Sequence, residues 1–552
     1  MKRRNFLKMS GITPFVINGY SMTPFANLKL ANMIDCNGVN DRTLVLIQMK
    51  GGNDGLNTVI PIAQYDKYAA LRPSIKITDT GANKFIDLDT TTKWSHRVGL
   101  HPAMVEVKAM YDAGLVNLVQ GVGYTNPNQS HFKSTDLWFS GGDGTAANFN
   151  IPSGWMGRSL AAFFPQVKGL PTPEMLDPLG IQLGDPNPNL GFHTESEHEN
   201  YINLAGQDIS GFYSLVQSIG GQPPADIPDT DMGHELEYIK SVESSVDAYA
   251  QRISSVFNAG SNSVTYPSID LANQLKTVAR LLRGGCKTKI FLVTIGGFDN
   301  HDGQVDTANT SIGTHADLLG RISKSVKTFF DDLQAMGISE RVMAVTFSEF
   351  GRCLKENGSF GTDHGTVAPM FVFGKGVKPG LTGGNIDLSN LTSDNQAKSI
   401  LTDYRQVFGA AIQDWLGGND YVLSKSYFDK FTKANVVHDS YKVLPNCQIG
   451  GTEIIIDNQA KLAAQQITVF PNPCRDVAEV WYPNLTNLGG FEARIGLFSL
   501  QGAEVSAKNV VIEPGDNLFY LEVGELPVGP YFIRLDGKME QIRAVTKLMV
   551  VR

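Results

Sequence analysis

Between residues 43 and 373 short apolar runs recur, each closed by glycine or by a polar cluster: TLVLIQM (Thr43–Met49), LVNLVQGV (Leu115–Val122), KIFLVTI (Lys289–Ile295), RVMAVTF (Arg341–Phe347) and Met370–Phe373. Runs of this length with little alternation predict strands buried on both faces. Between them, apolar positions spaced three and four apart predict helices over Pro102–Ala113, His234–Asn258, Ile269–Arg283, His315–Met336 and Asp403–Trp415. The alternation of the two periods predicts an α/β fold, a sheet with helices on both faces. The long helical stretch from His234 to Arg283 is expected to form a cap or insertion. From Ile467 onward the texture changes to short alternating segments broken by Gln501-Gly502, Pro514-Gly515 and Gly529-Pro530. That pattern predicts a separate all-β sandwich. The resulting division is an N-terminal segment over 1–35, an α/β domain over 36–445, a polar linker over 446–466 and a β-sandwich over 467–552.

Composition narrows the partners. With 552 residues, 42% of them hydrophobic, the chain can bury more than one core. The formal net charge of -8 and the dispersed basic residues give no electrostatic footprint for nucleic acid. Five scattered cysteines form neither a disulfide framework nor a zinc spacing; Cys447 with Cys474 is the one pairing expected. No run approaches the roughly 18 apolar residues of a membrane span.

The two ends carry resemblances. Arg3-Arg4 followed by Asn5-Phe6-Leu7-Lys8 resembles a twin-arginine export signal, which implies export of an already folded body. At the other end, Phe470-Pro471-Asn472-Pro473, the turn Ser499-Leu500-Gln501-Gly502, Leu526 to Tyr531, and the closing Lys547 to Arg552 resemble the C-terminal sorting domain of the type IX secretion system of the Bacteroidetes. Twin-arginine and type IX machinery are therefore expected partners, with the protein secreted or on the outer-membrane surface.

In open α/β sheets ligands gather beyond the carboxyl ends of the strands. There this chain places Asp54 in GGNDGLN, Thr125, Ser130 and His131 in GYTNPNQSHF, Asp299 and His301 in GGFDNHDGQ, Glu349 in SEFGR, and Asp363 and His364 in GTDHGT. Each has a local alternative. Asp54 could close an Asx turn, Ser130 could cap a helix, and Glu349 could pair with Arg352. Collectively, carboxylates and imidazoles without thiolates suit one or two hard or borderline dications, which in pairs sit about 3.5–4 Å apart across a displacement.

The series GGNDGLN, NQSHF, GGFDNHDGQ and SEFGR with GTDHGT resembles an exported family known as domain of unknown function 1501, similar in fold to the alkaline phosphatase and sulfatase superfamily. The resemblance runs from Thr43 to Leu416. It implies an alkaline-phosphatase-like sheet and a metal-dependent hydrolase of phosphate or sulfate esters on small molecules or glycans. Carried over by position, the metal ligands are Asp54, Asp299, His301, Glu349 and His364, with Asp363 as substitute where Phe350 replaces a ligand histidine. Zinc, magnesium or calcium is the implied ion. The nucleophile is Ser130, then Thr125, then Ser134, with His131 alongside; Arg352 or Lys133 would bind the anionic group. The alternative expectation is a non-catalytic surface protein that keeps the fold and binds a glycan or partner.

Overall fold

The computed structural model describes residues 16–17, 20–21, 41–173, 175–187, 189–194, 199–205, 249–450, 467–484, 491–499, 503–513, 515–537 and 543–552. The expected leader over 1–35 therefore lies almost wholly outside the described residues, as do most of the helix expected from His234 and most of the linker. Residues 249–259 are helical. Two compact units divide at Gly450–Gly451.

The first unit is built on a nine-stranded sheet. Its strands are β1 (Thr43–Met49), β2 (Val116–Gly123), β3 (Gly180–Gln182), β4 (Tyr201–Asn203), β5 (Ile290–Ile295), β6 (Val342–Phe347), β7 (Ala368–Phe373), β8 (Gly380–Thr382) and β9 (Thr402–Asp403). The spatial order is β8-β2-β7-β6-β1-β5-β3-β4, and β9 also pairs with β2. β1 is parallel to both β5 and β6, whereas β7 runs antiparallel to β6 and to β2. The reversal of β7 positions the site. Strands β1, β2, β5 and β6 all end at one edge of the sheet, and at that edge β7 begins, so Asp363 and His364 reach it from the N-terminal side of their strand.

Every residue of β1 is buried, and its alternate side chains feed two cores. Val45 and Ile47 pack with helices α4 (Asp270–Arg283) and α5 (Thr314–Ala335) and with α1 (Val105–Asp112); Leu44 and Leu46 pack with α2 (His131–Ser140), α3 (Trp155–Phe163) and α6 (Tyr404–Ala410). Two-sided burial explains the near-continuous apolar runs, since each such side chain contributes about 1.5–3 kcal/mol. The helix expected to run unbroken to Trp415 instead passes at Ala411 into a π-helical turn, Ala411–Trp415. That turn aims Trp415 Nε1 at the Thr43 carbonyl, 3.0 Å away, and ties the helix to the start of β1.

The second unit is wholly antiparallel within its two sheets. Strands β10 (Thr468–Phe470), β11 (Val477–Asn484) and β14 (Gly515–Glu522) form one; β12 (Phe491–Ser499), β13 (Glu504–Ile512), β15 (Gly529–Gly537) and β16 (Arg543–Val550) form the other. Val480, Ile495, Leu497, Ile533 and Leu535 fill the core between them. Cys474 is a buried free thiol here, whereas Cys447 is disulfide-bonded. The expected Cys447–Cys474 pairing is thus corrected: the two cysteines do not join.

Candidate functional site

The register of the central strands sets the site. Phe347 pairs with Gln48 and Ile295 with Met49, so β6, β1 and β5 end level. The next residues, Ser348-Glu349, Lys50-Gly51 and Gly296-Gly297, therefore meet. Ser348 Oγ donates to the Met49 carbonyl at 2.6 Å, and the Gly51 amide donates to Glu349 Oε1 at 2.8 Å. Glycine is required at this turn. Gly51 has φ +121°, and a Cβ there would lie 2.4 Å from the Asp299 amide nitrogen; Gly52 at φ +79° leaves room for the Phe350 ring.

On this floor three imidazoles surround one carboxylate. His301 Nε2 and His364 Nε2 each lie 3.2 Å from Asp299 Oδ1, and His131 Nε2 lies 3.3 Å from Asp299 Oδ2. Each ring is held through its outer nitrogen: His131 Nδ1 by Glu349 Oε1 at 2.9 Å, His301 Nδ1 by Asp363 Oδ1 at 3.1 Å, and His364 Nδ1 by the Gln129 carbonyl at 2.8 Å. Since these partners are acceptors, they assign the ring proton to Nδ1 and turn the Nε2 lone pairs inward. Phe350 packs between His131 and His364, with centroids 4.8 and 4.6 Å away, and fixes the two planes.

This arrangement is electrostatically incomplete. His131 Nε2 is buried and makes no hydrogen bond. His301 Nε2 and His364 Nε2 face each other at 3.0 Å. With both rings protonated at Nδ1, two lone pairs oppose. A cation held by the inward atoms of His131, Asp299 and His364 would satisfy both of those nitrogens, and the outward hydrogen bonds are those that orient metal-binding histidines. Among the described residues, His131, Asp299 and His364 form the one group whose donor atoms, all within 4.8 Å of one another, could hold an ion.

Charge is partly matched without one. Arg352 Nη2 donates to Asp299 Oδ1 at 2.6 Å, while the rest of the buried guanidinium serves the carbonyls of Gly51, Gly52, Phe298 and Thr362. Burial alone would raise the Asp299 carboxyl, but the hydrogen bond from the Arg352 guanidinium and the neighbouring His364 ring bring it down to about 2. The Glu349 hydrogen bond raises His131 above the ordinary histidine value, and burial lowers His364.

The residues proposed from sequence separate into three groups. Asp299, His301, His364 and His131 point inward. Glu349 and Asp363 hold the outer nitrogens, and Glu349 partners His131 while Arg352 pairs with Asp299. Asp54 stands apart: its Oδ2 takes Arg72 Nη1 and Gln304 Nε2, both at 2.5 Å, and its Oδ1 takes the Leu56 amide at 3.2 Å. Burial would raise this carboxyl, but the Arg72 charge prevails and lowers it. Through Arg72, which also holds the Cys353 and Leu354 carbonyls, and through Gln304, Asp54 braces the two loops that deliver His364 and His301.

Of the hydroxyls, Ser134 is buried and committed to Tyr124 and the Glu349 carbonyl. Ser130 stands at the N-cap of α2, but its side chain makes no capping bond; it is exposed, as is Thr125. Lys133 turns to Asn150 Oδ1 at 2.8 Å and to the Phe149 ring. Arg72, Gln304 and Gln129 were absent from the sequence-derived set. Gln304 follows His301 within GGFDNHDGQ, while Arg72 gave no sign beyond a charged residue next to Pro73.

Behind Asp54 lies a buried histidine pair. His315 Nε2 meets Asn53 Oδ1 at 3.0 Å, and the His101 ring stands 6.1 Å away. Burial lowers His101 to about 3 and His315 to about 4 from 6.5. Both therefore fold neutral, and the unfolded chain binds more protons below pH 6.5. Their stability contribution is full above about pH 6.5 and is lost as pH falls toward 4, at up to about 1.4 kcal/mol per unit for each group. Urea titrations at pH 7 and pH 5 should show the loss, and H315Q should flatten it.

The chain belongs to the family described as protein of unknown function, DUF1501, which matches residues 41–400. Residues 468–551 match the secretion system C-terminal sorting domain, so the protein goes by type IX secretion to the exterior or the cell surface. No curated protein matches the chain. Among solved structures it is similar to latent PorU of Porphyromonas gingivalis, at 16% identity and TM-score 0.14 over 15% of this chain and 9% of that one. It is also similar to a protein of the alkaline phosphatase superfamily from Vibrio parahaemolyticus, with 8% identity, TM-score 0.31 and coverage of 87% and 79%. A sulfatase from a Pseudoalteromonas species shares 8% identity at TM-score 0.28, with coverage of 90% and 87%. No helix among the described residues is long and apolar enough to cross a membrane.

Proposed function

We propose that the α/β unit is a metal-dependent hydrolase of phosphate or sulfate esters, acting outside the cell. The observation that supports it is the buried, unpartnered His131 Nε2 facing Asp299, with His301 and His364 turned to the same carboxylate. Three nitrogens and one oxygen suit zinc better than magnesium or calcium, which prefer oxygen. His131, Asp299, His301 and His364 would hold the ion. When bound, it supplies Lewis-acid polarisation of the ester and a more acidic water. Glu349, Asp363 and the Gln129 carbonyl keep the rings aimed, and Ser130, one residue before His131 with a free hydroxyl, is the proposed nucleophile. The anionic group then relies on the ion, because Lys133 and Arg352 are engaged elsewhere.

A second reading rests on the Arg352–Asp299 pair. An arginine that already neutralises Asp299 suits a non-catalytic binding surface. Elemental analysis of protein purified without chelator, with turnover of 4-nitrophenyl phosphate and sulfate, separates the two. Stoichiometric metal and turnover abolished by chelator are expected. Metal-free protein with intact fold and no turnover supports the second reading. Turnover retained by S130A would assign the attack to water.

A further inference from the structure

A cleft of about 750 Å³ opens beside the imidazole cluster, with His131, Asp299 and Glu349 on its inner wall. One face is a stripe of α2: Phe132, Thr135, Asp136 and Phe139 all line it, at the three- and four-residue spacing that puts side chains on one side of a helix. Phe132 is 87% exposed, an unusual cost for a phenyl ring one residue from a candidate ligand. Lys133, its neighbour, points away to Asn150.

The charges of the cleft can be paired off. Lys50 Nζ holds Asp185 Oδ2 at 2.6 Å, and Asp299 and Glu349 are engaged by Arg352 and His131. Asp136 remains. Among the described residues it makes no hydrogen bond or ion pair, and the charge that acts on it is that of Lys133, three residues earlier on the helix. Partial desolvation at the cleft wall raises its carboxyl above the usual carboxylate value, although solvent still reaches it. An unmatched carboxylate and an exposed aromatic face one helical turn apart are the two elements that attract an ammonium group, by charge and by the ring quadrupole.

We infer that this cleft binds the alcohol portion of the substrate and that this portion carries an amine or quaternary ammonium group, held between Phe132 and Asp136. The inference rests on the hydrolase reading for the word substrate, but the ammonium site stands on its own residues. The acidic group of the ester would face the imidazole cluster while the cation lies over Phe132.

Calorimetric titration with choline and with its neutral isostere 3,3-dimethylbutan-1-ol tests the site without any turnover. Wild-type protein is expected to bind choline about tenfold more tightly than the isostere, in keeping with a partly desolvated cation–π contact beside a carboxylate. Asp136→Asn should abolish that preference, and Phe132→Ala should weaken choline while both variants keep the wild-type melting temperature. Equal binding of the two alcohols, or a preference unchanged by Asp136→Asn, overturns the inference. Choline preference in a protein that turns over no ester would sustain the ammonium site and remove the hydrolase reading; ester turnover without the preference would do the reverse.

Discussion

Replacing Asp54 by asparagine is expected to destabilise the α/β unit by about 3–5 kcal/mol, the range for removing one partner of a buried ion pair. Arg72 is wholly inaccessible, and its Nη1 meets Asp54 Oδ2 at 2.5 Å. Its Nε and Nη2 are already spent on the Leu354 and Cys353 carbonyls, so the guanidinium cannot turn to water when the carboxylate is lost. Asparagine keeps the shape and leaves a buried positive charge. Urea unfolding at pH 7 should show a lower midpoint with an unchanged slope. The double substitution Asp54→Asn with Arg72→Met should be less damaging than the two single costs added, because the stranded charge goes too. Metal content of the folded fraction should persist, since Asp54 reaches no imidazole. A stable Asp54→Asn protein that has lost its metal would instead make Asp54 a ligand.

The sequence reads well in one place and poorly in another, and the buried Asp54–Arg72 pair belongs to the second. The central strands were legible because two-sided burial favours apolar residues at nearly every position of Thr43–Met49, Ile290–Ile295 and Val342–Phe347, broken only by Thr43, Gln48, Thr294 and Thr346, a pattern with few other physical causes. The polar residues that follow them were legible as a group for the same reason: where an apolar run stops, the chain has left the sheet. The direction of β7 was not legible, because Met370–Phe373 reads alike in either sense, and only its antiparallel pairing explains how residues preceding a strand join residues following others. Pairings were harder still. Asp54 and Glu349 both follow strand ends and are both buried, yet one faces Arg72 and the other His131. Arg352, three residues from Glu349, looked like its partner and reaches Asp299 instead, because the short ladder of Gly351-Arg352 with His364-Gly365 turns its side chain back beneath Gly51 and Gly52. Side-chain direction after a strand depends on that local turn, which no spacing encodes.

His364→Ala is expected to abolish metal retention through dialysis, a larger loss than the 10–100-fold that removal of an outer hydrogen-bond partner costs. The imidazole supplies an inward Nε2 that no neighbour can replace: His301 already offers its own, and Phe350, packed 4.6 Å from His364, has no donor. Glu349→Gln makes the comparison quantitative. Its side chain is 3% exposed and accepts from the Gly51 amide while fixing His131 Nδ1 at 2.9 Å. The amide oxygen can keep the Gly51 bond at nearly the same size, but it lacks the charge that holds the His131 proton on Nδ1. Affinity measured against a competing chelator should then fall by about 10–100-fold, with the melting temperature of metal-free protein far less changed than in Asp54→Asn. Should Glu349→Gln and His364→Ala both retain wild-type metal, the three imidazoles do not form a metal centre, and the Arg352–Asp299 pair is what holds this edge of the sheet together.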